Sequence, residues 1–244
     1  MKREVTIETS SIEVVYDGLS HSSADYEVTS GSLAEGDSVC FSLPKEFLLA
    51  GEYKNERTLS IINTVNNIDC TSSYEVELKY GDITIKERKV EIDVIPLEIT
   101  YDGLPHKNEF DVIGETASGE ELIVVNDFEA TNVGEYDNNS LSVDVVNSNG
   151  DSVIDNYLID IVGNKKSIVI KKRKLTIEII NHTKTYDGFN FGINDMDTNE
   201  VYRISEGTLV DGHTLSFKCD NDPVDAGEYL STISFSVFSG NEDV

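Results

Sequence analysis

Short runs in which apolar and polar residues alternate dominate the chain, as in Tyr26-Glu27-Val28, Leu141-Ser142-Val143-Asp144-Val145 and Ile233-Ser234-Phe235-Ser236-Val237. A period of two sends successive side chains to opposite faces of an extended backbone. Gly, Asn and Asp clusters bound these runs, so each reads as a half-buried strand. No segment sustains an apolar stripe at i, i+3, i+4 and i+7. The expected fold class is therefore all-β, built of small antiparallel β-sandwich modules of immunoglobulin-like type. A β-grasp-like module is the alternative, and it would need a helix that the pattern does not supply.

The strands come in a repeated order. Tyr-Asp-Gly occurs as Tyr16-Asp17-Gly18, Tyr101-Asp102-Gly103 and Tyr186-Asp187-Gly188, each copy 85 residues after the last. Arg3, Arg88 and Arg173 keep the same interval, and each opens an alternating run. Downstream, each unit carries Gly-Glu-Tyr, with Gly51 and Tyr53, Gly134 and Tyr136, and Gly227 and Tyr229. The distance from the first Tyr to this Gly is 35, 33 and 41 residues, so the third unit has a longer loop. Self-similarity at a fixed period describes tandem modules, here 1–88, 89–173 and 174–244, with about seven strands expected in each.

The first two units close with a strand pair, Tyr74 to Tyr80 then Ile83-Thr84-Ile85-Lys86, and Tyr157 to Val162 then Ile168-Val169-Ile170-Lys171. By the repeat spacing, the third unit ends about 19 residues early, which is the length of this pair. It is expected to be truncated by its last two strands and to be the least stable of the three. From Ile83 to Ile92 and from Ile168 to Ile177 the chain passes between units without Gly or Pro. Such stiff junctions imply an end-to-end rod, elongated by solution scattering.

Charge narrows the partners. The 244 residues hold 19 Lys and Arg against 46 Asp and Glu, a net charge of −27. The units carry 8 cations against 16 anions, 7 against 17, and 4 against 13, so the acidity is an evenly spread solvated surface. Nucleic-acid and anionic-lipid binding both rely on Lys and Arg, and neither is expected. No apolar run reaches the ~18 residues of a membrane helix, so this segment is not expected to insert into a membrane. The opening Met-Lys-Arg-Glu-Val has no hydrophobic region for secretion.

The ordered set of pieces resembles the YDG/MBG-type repeat modules of bacterial cell-surface proteins and adhesins, mostly Gram-positive. It comprises Tyr-Asp-Gly-Leu-x-His at 16–21 and 101–106, Gly-Ser-Leu-x-x-Gly-Asp at 31–37, Gly-Thr-Leu-Val-Asp-Gly-His at 207–213, Asp-Ala-Gly-Glu-Tyr at 225–229, Asn156-Tyr157-x-Ile159 and the closing Ile-x-Ile-Lys-x-Arg. The resemblance covers essentially the whole chain. It implies an extracellular module, at the cell surface or cell wall as part of a larger secreted protein, with flanking modules as partners. The first unit departs from the pattern with Ser73 in place of Asn156, and the third with Phe191 in place of His. The segment also shows neither a leader nor a wall-sorting tail.

Each candidate chemistry has a plainer reading. Tyr ends a strand with its ring buried, and Asp-Gly makes a turn in which Gly takes a positive φ. A Tyr and Asp acid-base pair would not be copied three times at constant spacing. Eight of the eleven Tyr sit at repeat positions, which favours packing over a sugar-binding platform. His21, His106, His182 and His213 lack the three- or four-ligand clustering of zinc, and no catalytic residue, cofactor or metal is expected. Calcium suits acidic surface modules. Its candidates, Asn194 to Asp197, Asp220 to Asp222 and Asn147 to Asp151, fit no EF-hand loop and do not recur, so they read as solvated loops. Cys40, Cys70 and Cys219 have no counterpart in unit two and read as free thiols, with a Cys40–Cys70 bridge as the alternative. A Lys-Asn isopeptide bond would require a buried Lys. The expected function is a non-catalytic structural stalk or spacer. The alternative is an adhesive module that recognises a host glycan or protein through the third unit's loop at 191–224.

Overall fold

The computed structural model describes residues 1–137, 140–163, 167–240 and the backbone of 242–243. The first repeat contains β1 (Arg3–Thr9), β2 (Ile12–Val15), β3 (Tyr26–Gly31), β4 (Asp37–Phe41), β5 (Gly51–Lys54), β6 (Leu59–Asn63), β7 (Ile68–Asp69), β8 (Tyr74–Lys79) and β9 (Asp82–Lys86). The second contains β10 (Arg88–Val94), β11 (Leu97–Thr100), β12 (Phe110–Ile113), β13 (Glu121–Asn126), β14 (Gly134–Tyr136), β15 (Leu141–Val146), β16 (Tyr157–Val162) and β17 (Ile168–Lys171). The third contains β18 (Thr176–Ile179), a single helical turn α1 (Thr198–Val201), β19 (Tyr202–Glu206), β20 (His213–Cys219), β21 (Ile233–Ser239) and β22 (Glu242–Asp243). The chain is all-β, as the alternation predicts. Among the described residues α1 is the longest helix, far short of the helix a β-grasp module needs.

Two features differ from expectation. The first complete repeat holds nine strands, because a small third sheet adds to the two sheets of the body. The sheets are also not purely antiparallel: β1 runs antiparallel to β3 but parallel to β8, and β2 runs parallel to β9. The second repeat copies this, with β10 parallel to β16 and β11 parallel to β17. Alternation reports which side chains face inward and not the direction of the neighbouring strand. Parallel pairing needs a long crossover, which the stretch between β1 and β8 supplies.

The chain forms two compact units that cut across the 85-residue period. The first comprises Met1–Ile95, Glu109–Phe128 and Asn139–Asn164; the second comprises Pro96–Asn108, Glu129–Asn138 and Lys165–Val244. In the first unit, sheets β3-β1-β8 and β4-β6-β7 share one core in which Ile7 and Ile61 are fully buried among Val5, Tyr74, Val39 and Phe41. A small sheet, β2-β9-β5, follows. Its Ile85, Tyr16, Val14 and Tyr53 pack with Val90, Ala117, Val145 and Tyr157 of the second repeat's strands β10, β13, β15 and β16 and the loops between them. Residues of both repeats thus fill one core.

The second unit holds the small sheet of repeat two, β11-β17-β14, together with the strands of repeat three. The core of repeat three gathers Val201, Tyr202 and Leu215 with Ile177, Phe217 and Phe235. The extra residues of the third repeat lie between Tyr186 and β19, and Ile193, Met196 and Val201 from that insertion pack into this core. Its only described sheets are β18-β19 and β20-β21-β22.

Candidate functional site

The Tyr-Asp-Gly turn is built the same way in each repeat. The carboxylate of Asp17 accepts a hydrogen bond from the Leu19 backbone N–H at 2.9 Å, and Asp102 accepts one from Leu104 at 3.0 Å. Asp187 accepts one from Phe189 at 3.0 Å. This local loop closure is the reason Asp starts the turn. The imidazole Nε2 of His21 lies 2.9 Å from Asp17 Oδ1, and His106 lies at the same distance from Asp102. Repeat three has Phe191 in place of this His, and Lys184 pairs with Asp187 instead at 3.0 Å. All three carboxyls sit below the usual carboxylate range. The leading cause is the backbone N–H for Asp17 and Asp187, and the His106 side chain for Asp102.

The glycines Gly18, Gly103 and Gly188 take φ of 79°, 78° and 83°, the left-handed region expected of a residue without Cβ. Two of them also face the following repeat closely. A Cβ on Gly18 would stand 3.3 Å from Ala117, and one on Gly103 would stand 2.9 Å from Val210. Nothing lies within 4 Å of such an atom on Gly188. Ala substitutions at 103 and 188 therefore share the left-handed penalty of about 1–2 kcal/mol, and only Gly103→Ala adds a clash. Gly103→Ala is expected to cost more than Gly188→Ala by chemical denaturation of the second unit. Equal costs would show that the close approach is unimportant.

The turn's tyrosine reaches the next repeat. Tyr16, only 2% exposed, donates its hydroxyl to Glu120 at 2.6 Å and meets Tyr157 edge-on at 5.7 Å between ring centroids. Tyr157 donates to the other oxygen of Glu120 at 2.5 Å and accepts from the Ala117 N–H at 2.7 Å. Burial, reinforced by Glu120, pushes the Tyr157 hydroxyl up to about 12 and that of Tyr16 well above its ordinary value. The guanidinium of Arg88 binds the Tyr16 carbonyl at 3.1 Å and the Glu115 carbonyl at 2.7 Å. Asn156 Oδ1 accepts the Ala50 N–H at 2.8 Å.

Within the second unit part of the arrangement recurs. Tyr101 lies 5.8 Å from the ring of His213, which occupies the position of Glu120 after its loop glycine. Arg173 binds the Tyr101 carbonyl at 3.0 Å and the Thr208 carbonyl and hydroxyl at 3.3 and 3.0 Å. In the first repeat the same loop position is Asp37, which accepts from Tyr74 at 2.7 Å. Tyr186, the corresponding residue of repeat three, is 63% exposed.

The Gly-Glu-Tyr pieces form a second local device. Tyr53 folds back over Gly51 and donates its hydroxyl to the Leu49 carbonyl at 3.0 Å; Tyr136 does so to Asn132 at 2.8 Å and Tyr229 to Asp225 at 3.0 Å. A Cβ on Gly51, Gly134 or Gly227 would stand 3.0–3.3 Å from that ring. Gly51 and Gly134 begin strands, whereas Gly227 does not.

The loops weighed for calcium bond backbone N–H groups through several of their side chains. Asp220 accepts Thr232 N–H at 2.8 Å, Asp222 accepts Gly192 N–H at 2.6 Å, and Asn194 accepts Cys219 N–H at 2.8 Å. Asn147 accepts the N–H groups of Asn149 and Asp151 at 2.9 and 3.1 Å. Among the described residues no three His, Cys, Asp or Glu side chains gather as a metal-binding group. Cys40, Cys70 and Cys219 are all free thiols, so the alternative Cys40–Cys70 bridge is not formed. Among the described residues no Lys is buried.

Sequence reading found Tyr, Asp and Gly of the turn and the spacing of the Arg residues. It did not find that Tyr16 and Arg88 converge on the next repeat's loop, nor the acceptor role of Glu120. The repeat varies that position as Asp37, Glu120 and His213, and only its constant offset after the loop glycine could have marked it. The chain matches no model of a known protein family, and no curated protein matches it.

Proposed function

We propose that the chain is a non-catalytic structural segment, a stalk or spacer of immunoglobulin-like β-modules of the YDG/MBG repeat type in a bacterial cell-surface or adhesin protein. The observation that carries this reading is the core shared by repeats one and two, in which Tyr16 and Ile85 of one pack with Val145 and Tyr157 of the next. A spacer transmits load only if its modules are joined by packing and not by a loose linker. The β9–β10 passage supports this, since Glu87 alone separates the two strands. The Arg88 clamp and the Glu120 acceptor are positioned to hold the turn of one module against the loop of the next. Acidic surface charge, spread across all three repeats, keeps such a segment hydrated and averse to self-association. Its place in this reading is extracellular, at the cell surface or wall, with flanking modules as partners.

Pulling the chain between its termini in single-molecule force measurements tests the proposal. The expected record shows discrete unfolding events, with the Glu120→Ala variant weakening the first unit. Smooth extension at low force, with no resolved event, would remove the mechanical role.

A further inference from the structure

Arg57, which precedes β6 in the first unit, is the one buried charged side chain among the described residues. It is 9% exposed in a chain of net charge −27. Its Nε donates to the Ser42 carbonyl at 2.8 Å and its Nη1 to the Ala24 carbonyl at 2.6 Å. Its Cζ stands 4.6 Å from the centroid of the Phe41 ring. These contacts fix the guanidinium plane but bring no negative charge to it. Among the described residues no carboxylate forms an ion pair with Arg57, although a buried cation ordinarily has a counter-ion. Carbonyl bracing is not what the fold requires of this position. The stretches between Tyr136 and Leu141 and between Tyr229 and Ile233 contain no Arg or Lys, and the sheets β12-β10-β16 and β13-β15 of repeat two form without one.

The remaining end of the guanidinium has an outlet. Nη2 makes no hydrogen bond to a described residue, yet no buried polar side-chain atom among them lacks a partner. Nη2 therefore reaches solvent, and the opening that Arg57 lines is a pocket of about 610 Å³ beside β6 and β8. Ser42, Thr58 and Tyr80 bring hydroxyls to this pocket. Those of Thr58 and Tyr80 are unbonded among the described residues, and Ser42 Oγ accepts the Thr58 N–H at 3.1 Å, which leaves its proton to donate. Leu59, Val76 and Leu78 form an apolar side continuous with the core of Ile7 and Ile61. Glu56 is the one acid in the lining, and it is exposed.

We propose that this pocket binds a hydroxylated monocarboxylate, an acidic monosaccharide of the uronate class, with its carboxylate on Nη2 of Arg57. The carboxylate supplies the counter-ion that the guanidinium lacks, through a charge-assisted hydrogen bond in a partly desolvated setting. Sugar hydroxyls match Ser42, Thr58 and Tyr80, each of which can donate or accept, and Glu56 accepts from a further hydroxyl. The C–H face of the ring covers Leu59, Val76 and Leu78. A pocket of this volume is of the size that holds small molecules. Charge selects the ligand's valence. With one cation in the lining and −27 overall, repulsion grows with each further negative charge, so a monoanion is favoured over polyanions and phosphates. The site lies in repeat one and does not depend on the spacer reading.

The test titrates the isotope-labelled full chain with sodium glucuronate and follows amide chemical shifts, with glucuronamide, N-acetylalanine and inorganic phosphate as parallel titrants. The expected result is saturable millimolar binding, with shifts centred on residues 56–59 and 76–80. Glucuronamide, which keeps the shape and lacks the charge, is expected to bind about tenfold more weakly or worse. Arg57→Gln is expected to abolish binding. Because Arg57 also braces two carbonyls, Thr58→Val at an exposed position is measured beside it. That variant is expected to weaken glucuronate about threefold with an unchanged denaturation midpoint. Absence of saturable shifts, equal binding of glucuronamide, shifts centred elsewhere, or wild-type affinity in both variants would overturn the proposal. So would tighter binding of N-acetylalanine, which would assign the pocket to a peptide terminus, or of phosphate, which would assign it to a phosphorylated ligand.

Discussion

Ile85→Asp is expected to open the small sheet of repeat one and to destabilise the first unit by upwards of about 4 kcal/mol, since it places a carboxylate without a partner in an apolar site. Ile85 is 2% exposed and pairs with Val14 on one side and Gly51 on the other. Its side chain belongs to the core that also contains Val90, Val145 and Tyr157 of the next repeat. The effect should therefore cross the repeat boundary. Hydrogen exchange should rise in β2, β5 and β9 and also in β10 and β15, while β20 and β21 of the second unit keep their protection. Leu43→Asp, at a side chain 91% exposed, is the control and should change stability within about 0.5 kcal/mol. Loss of protection confined to repeat one would show that the repeats fold separately and would remove the shared core as an energetic link.

Glu120→Ala is the second large change. It removes the acceptor of both Tyr16 and Tyr157, leaving two buried hydroxyls without their partner. Each such loss costs about 1–3 kcal/mol, and because the two share one carboxylate the effects are not additive. A total near 2–4 kcal/mol is expected in the first unit by denaturant titration. Glu120→Gln, which keeps one acceptor oxygen, should recover part of it. The same cluster sets an alkaline limit. Folding raises the hydroxyl pKa of Tyr157 to about 12 and of Tyr16 further, through burial first and Glu120 second. The neutral phenol is the form favoured by folding. This contribution is thus complete below pH ~10, the ordinary tyrosine value, and is lost as pH rises through the folded-state values. Ultraviolet titration of wild type should show these tyrosines ionising late, and in Glu120→Ala earlier. Unchanged stability and an unchanged titration curve would show that the Glu120 contacts do not hold the junction.

The sequence by itself determined the features that are local. Period-two alternation located most strands, because inward and outward faces are decided by neighbours along the chain. Asp17, Asp102 and Asp187 make the same turn through a backbone N–H two residues away, and Tyr229 closes over Gly227 even where no strand forms. The 85-residue period gave the order of these parts and the strand pairs that end the first two repeats. The tertiary structure decided everything that depends on partners remote in sequence. Alternation is blind to strand direction, so the parallel pairings of β1 with β8 and β2 with β9 were not legible. Nor was the small sheet, whose strands are separated by whole sub-domains of chain. The Tyr-Asp-Gly turn read as a packing element within its own module, but Gly18 and Tyr16 in fact face Ala117 and Glu120, about a hundred residues on. Repeat three shows the boundary between the two kinds of information. It keeps the local turns that its sequence encodes, while residues 182–185 and 227–230, the counterparts of small-sheet strands in the other repeats, are not strands; a strand persists only when its backbone N–H and C=O groups find a partner.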